Sequence, residues 1–221
     1  MQMKSYVLRT GRVSPRQQNA LEHGLADFEL KNLGECWNLA QIFGRCAETI
    51  VEIGFGMGAS LVTMAAARPD RNFIGIEVHR AGLGALAADL HARSLTNVRI
   101  APLDAVEVFD VCLPDNALAG VQIFFPDPWP KKRHNKRRLV QAEFIARLAK
   151  KIHQGGFLHC ATDWQPYALH MLAVLSAERC LINQSASGDY VVRPNDRPVT
   201  KFEQRGLRLG HGVWDLLFLR T

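Results

Sequence analysis

Glu52-Ile53-Gly54-Phe55-Gly56-Met57-Gly58-Ala59 closes a short apolar run, residues 49–53, and opens a helix-like stretch, residues 60–68. Glycines at alternate positions between a strand and a helix allow a tight turn and let a ligand approach the backbone outside the carboxyl end of the strand. Working outward, strand-length apolar runs recur at 73–78, 98–103, 121–125 and 157–161, with little strict alternation, as expected of strands covered on both faces. Helical stretches lie between them: 80–94, a short one after Asp104, 138–153 and 165–178. In 138–153, Val140, Phe144, Leu148 and Ile152 recur every four residues and make one apolar stripe. Alternating strands and helices predict an α/β fold, a doubly wound parallel sheet with right-handed crossovers. Residues 190–192 and 214–219 read as two later strands, and a late antiparallel strand fits them. Residues 1–47 are less regular and read as a basic appendage that packs on the sheet or reaches for a partner, before a main domain over 48–221.

The glycine loop alone is ambiguous. It fits G-x-G-x-G, typical of S-adenosylmethionine (SAM) sites, and also the dinucleotide pattern G-x-G-x-x-A. A glycine-rich turn with no ligand is the plainer alternative. Charge separates the first two. A dinucleotide brings a negative pyrophosphate, whereas SAM carries a sulfonium and an ammonium against one carboxylate. Glu52, Glu77, Asp104 and Asp127 stand at four successive strand ends, and the loop holds no Lys or Arg. Those acids would repel a pyrophosphate and attract a sulfonium, so the chemistry favours SAM. By position, Glu77 can accept from ribose hydroxyls, Asp104 from the adenine amino group, and Glu52 can hold the methionine ammonium side. Each could instead be a capping carboxylate, Asp104 most of all.

The 221-residue chain is 48% hydrophobic and 22% charged, which excludes disorder and low complexity. Its longest apolar run, 61–67, is far short of the roughly 18 residues that a spanning helix needs. Residues 1–12 hold three bases and no apolar core, so no secretory signal is expected there and a cytoplasmic location is. Five cysteines without a C-x-x-C pair read as reduced core thiols, and the eight histidines lack ligand spacing, so no metal is expected. Residues 131–138, KKRHNKRR, carry six of the 27 Lys and Arg; the other 21 balance 21 acids, so the whole excess of +6 equals this octapeptide. Lys4, Arg9, Arg12 and Arg16 add a second basic stretch. Charge this localised suggests a polyanion meeting one face, against the alternative of a solvated basic turn. Just before it, Phe124-Phe125-Pro126-Asp127-Pro128-Trp129-Pro130 resembles the D-P-P-Y loops of enzymes that methylate nucleobase nitrogens, with a fixed carboxylate and an aromatic face.

Six motifs then resemble, in order, the bacterial tRNA (guanine-N7)-methyltransferase family: 53–58 (IGFGMG), 75–79 (GIEVH), 124–129 with 133–138 (RHNKRR), 161–164 (ATDW), 197–203 (RPVTKFE) and 210–215 (GHGVWD). The resemblance runs from about residue 50 to the end. It implies a Rossmann-like class I SAM-dependent methyltransferase fold, and methyl transfer to guanine-N7 at position 46 of the tRNA variable loop. It further implies that Glu52, Gly54, Gly56, Gly58, Glu77, Asp104 and Asp127 bind SAM, with Asp127 also catalytic. Lys131, Asp163, Thr200, Lys201, Phe202 and Glu203 would bind the acceptor. Arg133, His134, Asn135, Lys136, Arg137 and Arg138 would contact RNA. Pro130 departs from relatives, which commonly carry another residue. Methylation of an exocyclic amine is the nearest rival, and a nicotinamide-dependent oxidoreductase a more distant one, for want of a hydride partner such as His or Lys near the strand ends.

Overall fold

A computed structural model describes residues 12–31, 34–200, 203–204 and 212–221. Lys4, Arg9, Gly11, Lys201, Phe202, Gly210 and His211, which fall in the stretches and motifs read above, lie outside the described residues. Seven strands form one sheet in the order β3-β2-β1-β4-β5-β7-β6. They are β1 Thr49–Ile53, β2 Asn72–Ile76, β3 Val98–Ala101, β4 Leu118–Phe124, β5 Ile152–Thr162, β6 Leu181–Asn183 and β7 Trp214–Arg220. The first five pair in parallel, and β7 runs antiparallel to both β5 and β6. β1, β2 and β4 are buried along their whole length, which is why their sequences show no polar alternation.

Two cores lie on the two faces. On one, Ile50, Phe73 and Ile100 meet α3 (Ala59–Ala67), α4 (Arg80–Ala92) and α1 (Pro15–His23) through Leu61, Leu86, Leu90 and Ala20. On the other, Val51, Ile53, Ile74 and Val121 meet α6 (Ala142–Lys151) and α7 (Gln165–Ala177) through Phe144, Leu148, Tyr167 and Met171. The short helix expected after Asp104 is α5 (Ala105–Glu107), continued by a π-helical turn, Val108–Cys112.

Several boundaries differ from the sequence expectation. The stretch 138–153 holds a helix only from Ala142, because a 3-10 helix, Lys132–Arg137, comes before it and 138–141 are non-helical, with a bend at Leu139. β5 starts five residues early, at Ile152, on the residue where α6 stops. Residues 190–192 make only one bridge, Val191 to Asp215, and the outer strand on β7 is β6, three residues long and too short to show a period. Cys112 and Cys160 are buried as expected, but Cys36 and Cys46 are exposed.

The described residues of 15–47 pack against the rest of the chain, α1 on α4 and the following residues on the edge of the sheet. Ser14 and Gln17 form a reciprocal capping box with Pro15 at the first helical position, so α1 has a defined start. α1 lies so close to α4 that a Cβ on Gly84 would stand 2.5 Å from the Gln17 carbonyl oxygen. The chain then bridges the open edge of β3, with Leu30 N donating to the Ile100 carbonyl at 2.7 Å and Ile100 N to that of Phe28 at 2.8 Å. Trp37, 6% exposed, enters the core beside the π-helical turn and donates its amide to the Cys112 carbonyl. Trp37→Ala is expected to cost about 3 to 5 kcal/mol in urea unfolding, the usual range for deleting a buried aromatic. A loss below about 1 kcal/mol would mark this segment as detachable.

Candidate active site

The carboxyl ends of β1, β2, β3 and β4 open onto a cavity of about 340 Å³ lined by Gly54, Gly56, Glu77, His79, Phe125 and Asp127, among others. Gly54, Gly56 and Gly58 have φ of 73°, 59° and 80°, a left-handed region that any side chain would strain, so the alternating glycines make the turn. α4 seats directly on it: a Cβ on Gly82 would stand 2.1 Å from the Gly56 carbonyl oxygen. Glu77 ties the loop to the end of β2. Its Oε2 accepts from Gly56 N at 3.0 Å, and its Oε1 from Val78 N at 2.8 Å and His79 N at 3.1 Å. A carboxylate has about four lone-pair sites, so capacity for one further donor is left.

The other strand-end acids differ in setting. Asp104 is half-buried between the lining residues Leu103 and Ala105, and its Oδ1 caps α5 by accepting from Val106 N at 2.9 Å. Asp127 is exposed at the cavity rim. Glu52 lies behind the lining, 3% exposed, in register with Gly75 on β2 and Gln122 on β4. Its Oε2 and the neighbouring Gln122 Oε1 find no hydrogen-bond partner among the described residues. Burial, and next the charge of Glu77, push the Glu52 carboxyl up to about 8. An orphaned acid beneath a glycine turn with no base in it fits a cationic ligand.

On the far side of the cleft, Phe125 and Trp129 both adopt positive φ, 50° and 44°, so the P-D-P segment between them is strained as well as proline-stiffened. The 3-10 helix follows at once. Lys131, Lys132, Arg133 and Lys136 are exposed, while Arg137 lies 5.0 Å over the Trp129 ring and His134 meets that ring edge-on at 5.8 Å. Burial, followed by the charges of Arg137, Arg133 and Lys131, pushes the His134 imidazole down. Arg138 turns inward: it is 5% exposed, donates Nε to the Pro128 carbonyl at 2.9 Å and covers the Tyr167 ring at 4.8 Å. That placement secures the P-D-P-W loop, where the sequence suggested a contact with RNA. Asp163 follows the end of β5, next to β4 in the sheet.

A buried ion-pair cluster closes this side. Arg197 forks onto Asp215 (Nε to Oδ1 2.7 Å, Nη2 to Oδ2 2.9 Å) and onto Glu203 (Nη1 to Oε2 2.7 Å, Nη2 to Oε1 2.8 Å). His159 Nε2 stands 2.7 Å from Asp215 Oδ1. Burial alone would raise the Asp215 carboxyl, but its bonds to His159 and Arg197 hold it below the usual range.

Residues 47–216 match a family model described as "Putative methyltransferase". The sequence is 61% identical over 220 residues to the tRNA (guanine-N(7)-)-methyltransferase of Legionella pneumophila (strain Corby), covering 99% of this chain and 98% of that one. It is 53% identical over 219 residues to the protein of the same name from Sodalis glossinidius (strain morsitans), covering 99% and 92%. The chain belongs to the tRNA (guanine-N(7)-)-methyltransferase family. Its reaction is SAM-dependent methylation of guanine-N7 in tRNA. Among solved structures, the 30S ribosomal A1408 methyltransferase from an uncultured bacterium (UncKam) shares the fold, with a TM-score of 0.60 at 14% identity over 83% of this chain and 92% of that one.

In this tRNA methyltransferase the structure brings Gly54, Gly56, Glu77 and Asp127 to one cavity, with Gly58 opening α3 behind it and Asp104 at its edge. His159 and Asp215 carry no expectation above. Each is a polar residue inside an apolar strand, a pattern that demands a buried partner and so was visible in the sequence. Among the described residues, no helix is long and apolar enough to cross a membrane, and no group of three His, Cys, Asp or Glu could hold a metal ion.

Glu52 gives the ligand-free enzyme a distinctive pH dependence. An acid raised on folding contributes stability that is fully present below its ordinary pKa and lost as pH rises through the folded value, here from about 4.5 to about 8. Unfolding free energy in urea should therefore fall between about pH 5 and about pH 8, and Glu52→Gln should flatten that slope. Equal slopes in the two proteins would mean that Glu52 is ionised when folded.

Proposed function

We propose that the guanine methylated is the one at position 46 of the tRNA variable loop, and that the residues around the cleft divide into a SAM side and an acceptor side. One observation supports this most directly. The loop carrying Asp127 stands at the rim of the cavity formed by the glycine turn, and the exposed basic turn continues from it without a break. A base delivered to Asp127 thus leaves its flanking phosphates beside Lys131, Lys132, Arg133 and Lys136.

On the SAM side, the glycine turn lets the ligand approach its backbone, Glu77 offers its remaining acceptor capacity to a ribose hydroxyl, and the Asp104 oxygen not used as a cap takes the adenine amino group. Glu52 holds the ammonium end; a cation nearby favours its ionised form. On the acceptor side, Asp163 accepts from the N–H edge that distinguishes guanine from adenine, Lys131 and Thr200 hold the nucleotide, and Lys201 and Phe202 are assigned here on the resemblance alone. Arg133, His134, Asn135, Lys136 and Arg137 meet the RNA. SAM supplies a methyl group on a sulfonium, and guanine-N7 offers an in-plane lone pair with no proton, so transfer needs no general base. Asp127 therefore orients the base and stabilises the positive charge that grows on it.

Labelled SAM with unmodified tRNA, followed by nucleoside analysis and mapping, tests the assignment. Label in 7-methylguanosine at position 46 is expected; label in methyladenosine, or at another guanine, would overturn it. Asp127→Asn keeps the shape and loses the charge, so turnover should fall by roughly 10² to 10³, the size of one preorganised electrostatic group. Its residual rate should show no solvent isotope effect in single-turnover reactions; a large effect on a rate-limiting chemical step would mean that a proton is in flight. Arg133→Ala with Lys136→Ala should flatten the salt dependence of tRNA binding by roughly 0.7 to 0.9 log units for each phosphate that is no longer neutralised, with SAM affinity unchanged. An unchanged slope would identify the basic turn as a solvated face.

A further inference from the structure

We propose that Arg197 is a positioning residue for the acceptor side of the site, and that Glu203 acts through Arg197 and does not touch the guanine. This rests on the reading of the acceptor side given above. Arg197 is 1% exposed and Glu203 3%. Both Glu203 oxygens are taken by guanidinium nitrogens at 2.7 and 2.8 Å. The same guanidinium forks onto Asp215 of β7 and lies 5.8 Å from the Phe124 ring centroid and 5.7 Å from that of Phe125. Phe124 ends β4, and Phe125 starts the strained loop that carries Asp127. Arg197 therefore joins Glu203 and its partner Thr200, strand β7 and the root of the Asp127 loop.

The link from Glu203 to the segment is local and reciprocal. Glu203 N donates to Thr200 Oγ1 at 3.1 Å, and Thr200 N approaches Glu203 Oε2 at 3.4 Å. Arg193 Nη1 donates to the Arg197 carbonyl at 2.6 Å, holding the other end of the turn. Glu203 is 3% exposed with both oxygens on Arg197, so turning it out toward a base would break that fork. That would leave a buried guanidinium underpaired, the costly outcome for a desolvated charge. Holding the fork and placing the Thr200 hydroxyl requires no such break. Lysine at 197 would keep the charge but could not fork onto two carboxylates at once.

The test compares tRNA transcripts carrying guanosine or inosine at the methylated position, since inosine keeps N7 and lacks only the 2-amino group. Glu203→Gln and Arg197→Lys should each lower kcat/KM on both transcripts by the same factor, about 10- to 100-fold, as a misplaced acceptor does. The guanosine-to-inosine ratio and the KM for SAM should stay within about twofold of the parent enzyme. The double variant should lose no more than the larger single loss, because both changes break one linkage. A ratio that collapses in Glu203→Gln would mean that Glu203 touches the base, and multiplying losses in the double variant would mean that the two residues act separately; either overturns the proposal. Full activity in Arg197→Lys, measured below its Tm, would leave the cluster a purely structural role and also overturn it. Should Glu203→Gln not fold, Arg197→Lys alone decides by the ratio and the KM for SAM. Asp163→Asn is run alongside: if it leaves the ratio unchanged, the reading that Asp163 accepts from the 2-amino group of the guanine edge fails, independently of the Arg197 arms.

Discussion

The parallel pairing of β1 with β4, Ile50 opposite Gly120 through Ile53 opposite Ile123, is the constraint on which the site depends. The chain leaves β1 toward β2 on one side and leaves β4 toward β5 on the other. No connection can cover the gap between their carboxyl ends, so a cleft opens there. The glycine turn fills one wall because it continues β1, and the Asp127 loop fills the other because it continues β4. The two walls meet as a consequence of strand order.

The sheet buries carboxylates behind this cleft in two opposite ways. Glu52 lies beside another acid, has an oxygen without a partner among the described residues, and burial pushes its carboxyl up to about 8. Asp215 and Glu203 are as deeply buried, yet share a guanidinium that supplies four charge-assisted bonds, with His159 as a further partner of Asp215. An unpaired buried charge is too costly to keep, whereas a fully satisfied cluster can stay ionised. The first arrangement leaves a group that a cation can ionise. The second engages its oxygens within the protein and ties segments distant in the chain. Glu52, Gln122 and His159 stand in register across β1, β4 and β5, so the two settings occupy ends of one polar row through the middle of the sheet.

The wall that carries Asp127 is built under strain. Positive φ at Phe125 and Trp129 costs energy in residues that have a Cβ, and persists where surrounding contacts outweigh it. Arg138 on the Pro128 carbonyl, Arg137 on the Trp129 ring and Arg197 above Phe125 are those contacts. Three arginines thus hold the loop that sets Asp127 at the cavity rim. The basic octapeptide consequently has two functions. Its outer members face solvent, and its last two stabilise the loop.

The order of the first five strands and the helices between them, the glycine turn, the strand-end acids, the basic turn and the late antiparallel strand were legible in the sequence, because each depends on local pattern: apolar runs, glycine spacing, charge runs. The family was legible for the same reason, in motifs that keep their residues and their order. What only the tertiary structure decided is which side of a boundary each polar group falls on. Arg138 reads as one more base in KKRHNKRR, yet it is buried because Tyr167, 29 residues further along, closes over it. Glu203 reads as an acceptor ligand, yet its oxygens belong to Arg197 because β7 brings Asp215 to the opposite edge of the same guanidinium. Burial and pairing depend on segments distant in the chain, and a charge's chemistry follows from its solvent and its partner, neither of which is written in its neighbours.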